Sequence, residues 1–130
     1  MLKVKNRIKD ILVIDDEKLM LSILEKVLID EGFRVNKFVS GESALEYLRY
    51  LQKEGTIFPE LVIVDYALSG MTGIDFIVKA KEIAKNLKSI LISGRADKKE
   101  ELEKITYKAD AFMFKPIVLE QLLKCIESIS

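Results

Sequence analysis

Four short apolar runs, Ile11 to Ile14, Leu61 to Val64, Ile90 to Ile92 and Ala111 to Phe114, punctuate the chain, and each is followed at once by a polar residue. Such runs are long enough for a strand and too short for a helix. They show no polar alternation, so both faces of each strand must be covered, as in a parallel sheet packed between helices. A fifth segment, Arg34 to Val39, mixes polar and apolar residues and belongs at a wetter sheet edge.

The intervening stretches carry helical spacing. Met20, Leu24, Val27 and Leu28 share a face that ends at Gly32, and Ala44, Leu45, Leu48 and Leu51 share another between Ser40 and Gly55. A third helix opens with Thr72 three residues before Asp75, and a fourth with Asp97 three before Glu100, each pairing an N-cap with an acid at N3. A fifth follows Pro116 and repeats Leu122, Ile126 and Ile129. Strands alternating with helices predict right-handed crossovers and an α/β doubly wound five-stranded parallel sheet with helices on both faces. At 130 residues the expectation is one domain over residues 1–130, with residues 1–9 a basic, solvated arm carrying Lys3, Lys5, Arg7 and Lys9.

Charge excludes several function classes. Basic and acidic residues match, 21 against 21, so no net field draws the chain to nucleic acid or anionic lipid, and neither direct nucleic-acid binding nor a membrane role is expected. The first apolar run ends at two aspartates and is too short for a signal peptide or a span. No histidine is present, which removes His-based triads and most zinc sites, and the single cysteine, Cys125, reads as helix packing.

In doubly wound sheets the ligand crevice lies beyond the carboxyl ends of the strands. In chain order, Asp15 and Asp16 follow the first expected strand, Asp65 the third, Ser93 the fourth and Lys115 the fifth, so these residues should meet at one rim. Singly, each reads more simply as a turn, a cap or a solvated charge. Jointly, three carboxylates would repel one another unless a cation intervened, and hard oxygen ligands favour Mg²⁺. A phosphoryl group brought there could be attacked by Asp65, with the Lys115 ammonium neutralising charge and the Ser93 hydroxyl donating to the product.

The segments ILVIDDE, LVIVDYALSGMTG, ILISGRAD and ADAFMFKP carry a resemblance to the receiver domains of two-component response regulators, over about residues 9 to 130. The resemblance implies a flavodoxin-like fold with strand order 2-1-3-4-5. It also implies that Asp65 accepts phosphate from a sensor histidine kinase or a histidine phosphotransfer protein, and that Mg²⁺ is held by Asp16, Asp65 and the Ala67 carbonyl, with Asp15 acting mainly through water. Ser93 and Phe112 would form the switch, biasing the surface of the fourth helix, fifth strand and fifth helix toward a downstream target or effector domain. Cytoplasmic localisation goes with the same resemblance, and the chain would be either a stand-alone regulator or a part of a larger one. Ser69, Thr72 and Lys108 depart from the usual pattern, and Phe112 stands where Tyr is more common.

Three rival readings compete with this one. A Mg²⁺-dependent phosphatase with an Asp nucleophile typically carries a D-x-D pair after the first strand, whereas Asp15 and Asp16 are adjacent. A flavin or nucleotide binder needs a Gly- or Ser/Thr-rich loop there, and Asp15, Asp16 and Glu17 would repel a phosphate. A receiver reduced to a docking module is a third possibility, against which the intact set of site residues argues. Leu19 and Leu21, flanking the apolar face of the first helix, are predicted to expose apolar surface for a partner helix.

Overall fold

The computed structural model describes residues 8–94 and 108–130. Five strands, β1 (Asp10–Ile14), β2 (Arg34–Phe38), β3 (Leu61–Asp65), β4 (Lys88–Ser93) and β5 (Ala111–Phe114), form one all-parallel sheet in the order β2-β1-β3-β4-β5. Among the described residues four helices cover it: α1 (Lys18–Asp30), α2 (Gly41–Glu54), α3 (Gly73–Ile83) and α4 (Leu119–Ile129), the last being the fifth helix expected from the sequence. The helix expected to open at Asp97 lies outside the described residues.

The continuous apolar runs are buried on both faces because successive side chains alternate between two cores. Leu12, Ile14, Val62, Val64 and Leu91 pack beneath α2 and α3 with Leu45, Leu48, Phe76 and Ile77. Ile11, Val13, Ile63, Ile90 and Ile92 turn the other way, onto Leu24 and Leu28 of α1 and Leu122 and Ile126 of α4. Burying an Ile, Leu or Val side chain in such a layer is worth roughly 1.5–3 kcal/mol. At the edge, β2 has only Val35 and Phe38 half-buried, with Arg34, Asn36 and Lys37 exposed, as its mixed composition requires.

Helix ends follow the local sequence. Gly32 (φ +98°) closes α1: its N–H donates to the Ile29 carbonyl, and the Phe33 N–H donates to that of Leu28. Ser40 caps α2 by accepting from the Ser43 N–H, and Thr72 and Asp75 form a reciprocal capping box at α3. Cys125 is half-buried against the α1/α4 core.

Two expectations are corrected. Ile8 is not part of a solvated arm: it is 4% exposed and joins the α1/α4 core, while the N–H groups of Asp10 and of Lys9, which is exposed as expected, both donate to Glu60 Oε1 just before β3. An apolar residue beside a paired backbone has more to gain from the sheet than from water. Leu21 is not surface either; it is 3% exposed in the core, and of the two leucines only Leu19, at 68%, faces solvent. The buried stripe of α1 runs Leu21, Leu24, Leu28, one position round from the face read from Met20 and Val27, which are half-buried.

Candidate functional site

The strand order reverses between β1 and β3, and the crevice beyond their carboxyl ends is where the topology leaves backbone and side-chain groups free to meet a ligand. Asp15 follows β1 directly, Asp65 is the last residue of β3, and Lys115 follows β5. Carboxylate oxygens of Asp15, Asp16 and Asp65 lie within 4.8 Å of one another. Lys115 reaches across from β5: its Nζ donates to Asp65 Oδ2 at 2.9 Å and to Asp15 Oδ2 at 3.2 Å.

The two buried aspartates are held in the same way. Asp15 Oδ1 accepts from the Glu17 N–H at 2.9 Å, and Asp65 Oδ1 accepts from the Ala67 N–H at 3.1 Å, so each uses one oxygen on the backbone two residues ahead and the other on Lys115. These local bonds fix the carboxylate planes before any ligand arrives. The Asp15 N–H donates to the Phe38 carbonyl of β2, which ties the acidic turn to the sheet edge.

Asp15 and Asp65 are 3% and 8% exposed, while Asp16 faces solvent. Burial pushes the Asp15 carboxyl above the ordinary carboxylate range; the Asp65 charge adds to that rise, and the Glu17 N–H and Lys115 oppose it without cancelling it. Burial acts to lower the Lys115 ammonium, but hydrogen bonds from it to Asp65 and Asp15, together with their charges, outweigh burial and raise it. The lysine therefore stays charged at neutral pH. One ammonium still faces three carboxylates, and each ionised pair at this spacing repels by about 3 kcal/mol at an effective dielectric near 20.

That excess of hard anionic oxygen fits a small divalent cation, and the donor set, with no imidazole or thiolate, does not suit zinc or copper. Asp15, Asp16 and Asp65 are the residues that would hold it. Of the other residues singled out from sequence, Ser93 ends β4, is 1% exposed, and accepts from the Lys115 N–H through its own carbonyl at 2.8 Å. Phe112 lies two residues before Phe114, with the rings 4.8 Å apart and edge-on. Leu91 pairs in register with Phe112 and Ser93 with Phe114, so strand alternation puts Ser93 and Phe112 on the same face of the sheet. Ala67 is exposed in the turn after β3 and is bridged to Thr72.

Gly73 is a site residue that the sequence reading overlooked. A Cβ there would stand 2.5 Å from the Asp65 carbonyl oxygen and 2.8 Å from Leu91 Cδ1, so only glycine lets α3 start against the end of β3. The Gly73 N–H also donates to the Tyr66 carbonyl at 2.7 Å and draws the turn tight. A glycine directly after the Thr72 cap was the available signal.

Comparison with known proteins agrees with this geometry. The family model described as "Response regulator receiver domain" matches residues 11–127. Response regulator RppA of Synechocystis sp. is 28% identical over 113 residues, covering 87% of this chain and 47% of that protein. The chain spans about half the length of the curated relatives it matches. Among solved structures, a CheY-like response regulator receiver domain protein from Methanospirillum hungatei superposes with a TM-score of 0.77 at 26% identity, covering 93% of this chain and 92% of that one. The response regulator protein TrrA of Thermotoga maritima shares the fold with a TM-score of 0.79 at 24% identity, over 94% of this chain and 99% of that one. Fold, strand order, acidic crevice and family model converge on one conclusion: the chain belongs to the response regulator receiver domain family.

Proposed function

We propose that this receiver accepts a phosphoryl group on Asp65 from the phosphohistidine of a sensor histidine kinase or histidine phosphotransfer protein, in a Mg²⁺-dependent reaction, and relays the change through β5 and its flanking helices to a downstream target or effector domain. The observation that carries this reading is the Lys115 ammonium 2.9 Å from Asp65 Oδ2, inside a crevice whose other walls are Asp15 and Asp16. Asp65 shares burial, a backbone N–H and Lys115 with Asp15, but it ends the middle strand of the sheet and makes the shorter bond to Lys115, 2.9 Å against 3.2 Å.

In the transfer a carboxylate oxygen of Asp65 attacks phosphorus, the P–N bond of the donor breaks, and its electron pair returns to the imidazole; the product is an acyl phosphate. Lys115 would exchange its bond to Asp65 for one to a phosphoryl oxygen, and the Ser93 hydroxyl would donate to another. Asp15, Asp16 and Asp65, with the Ala67 carbonyl, would hold Mg²⁺, which supplies charge neutralisation for the phosphoryl oxygens when bound. The Thermotoga neighbour, solved in complex with Mg²⁺–BeF, is a precedent for such a site in this fold. Phosphorylation adds about 1.5–2 negative charges at pH 7, and the face shared by Ser93 and Phe112 is the path by which that charge would reach the surface of β5.

Intact mass after incubation with acetyl phosphate and Mg²⁺ tests the proposal. Wild type should gain one phosphoryl group, lost on chelation of the metal before incubation, and Asp65→Asn should gain none. An unmodified wild type, or an equal adduct on Asp65→Asn, would overturn it.

A further inference from the structure

Beside the acidic crevice, and separate from it, a cleft of about 410 Å³ opens between the first turns of α1, the end of β2 and the start of α2. Its apolar wall is Leu21, Phe38 and Val39; its polar edge is Lys18, Lys37 and the hydroxyls of Ser22 and Ser43. We infer that this cleft binds a small organic carboxylate with an aromatic or branched apolar body.

Three observations carry the assignment. The volume and the mostly apolar lining are those of small-molecule sites, which use a few polar groups to fix orientation. Among the described residues no acid lines the cleft, although acids make up half of the chain's 42 charged residues, so its charge is complementary to an anion. The two lysines differ: Lys37 is tied to Glu25 at 2.8 Å, whereas Lys18 has no ion-pair partner among the described residues and is the cation available to a carboxylate head. Val39, 46% exposed, would gain cover from the apolar body. A ligand seated there would press on Phe38, whose carbonyl accepts from the Asp15 N–H at 3.2 Å, so occupancy is coupled by one hydrogen bond to the acidic turn.

The test is titration of the ¹⁵N-labelled protein with phenylacetate and with 4-methylpentanoate, using 2-phenylethanol and acetate as controls. At least one of the two carboxylates should shift the amide signals of Ser22, Val39 and Ser43 saturably, with the alcohol and acetate about tenfold weaker. Lys18→Gln and Val39→Asp, both at solvent-exposed positions, should each weaken binding by about the same factor with the rest of the spectrum unchanged. Asp65→Asn should bind as wild type does, which separates this result from the phosphoryl reading. The inference is overturned if neither carboxylate gives a saturable shift at those amides, if the alcohol binds as tightly, or if Lys18→Gln leaves binding unchanged.

Discussion

Asp15 shows how a residue can be placed for a ligand at the expense of the fold. Its carboxyl is raised by burial, so the native state holds its proton more tightly than the unfolded chain does, and stability falls as pH rises through the native value. Near pH 7 the ionised side chain is a liability. Asp15→Asn keeps an acceptor for the Glu17 N–H and removes one of the crowded charges, so the metal-free protein should gain on the order of 0.5–1 kcal/mol after allowance for screening. Thermal melts without divalent metal check this, and the gain should shrink in acid, where wild-type Asp15 is already neutral. At Gly73 the sign is opposite. Gly73→Ala forces a Cβ against the Asp65 backbone, which cannot swing aside, and should destabilise by about 1–3 kcal/mol in urea unfolding. Gly41→Ala meets only the Met71 thioether, the far part of a flexible side chain, and should lose less.

Between elements, the edge strand is secured by charge as well as by its ladder. Arg34 of β2 grips Asp10 of β1 with two hydrogen bonds, Nε to Oδ1 at 2.7 Å and an η-nitrogen to Oδ2 at 2.8 Å, at a register pair where the two strands begin. The Arg34 hydrogen bond, aided by its charge and opposed by burial, holds Asp10 below the ordinary carboxylate range. A depressed carboxylate contributes stability that is present above its unfolded value, near 3.9, and is lost as pH falls through the lower folded one. Arg34→Gln should therefore lower the melting temperature slightly at pH 7, by the small amount typical of an exposed pair, and the difference from wild type should vanish in strong acid. A difference that persists there would mean that the arginine acts by packing.

For the whole molecule, three strand ends brought together form an anionic crevice that the fold alone does not neutralise. A divalent cation that binds only the native arrangement stabilises it by mass action, about 2.7 kcal/mol at a hundredfold excess over Kd. Mg²⁺ should accordingly raise the melting temperature of wild type and leave that of Asp16→Asn nearly unchanged. Because Asp16 is exposed and only weakly engaged in the fold, its substitution separates loss of the metal from loss of structure. Equal Mg²⁺ responses in the two proteins would remove Asp16 from the ligand set.

Much of this was legible from local pattern. The two-faced burial of Leu61 to Val64, the cap at Ser40, the Thr72–Asp75 box and the stop at Gly32 are properties of a few neighbouring residues, and each appears where its chemistry requires. The polar residues after the apolar runs could likewise be assigned to one rim, because strands of a parallel sheet all end on the same side. What the sequence could not supply was the outcome of competition between distant groups. That Ile8 leaves the solvent, that Leu21 rather than Met20 fills the α1 stripe, and that Lys115 divides itself between Asp65 and Asp15 depend on which surfaces lie opposite once the chain has closed. The same holds for Gly73, whose missing side chain matters only because the Asp65 backbone, eight residues away, folds back against it. Periodicity and capping act over a turn of chain and can be read in one dimension; contact, burial and charge balance act through space, and only the folded structure decides them.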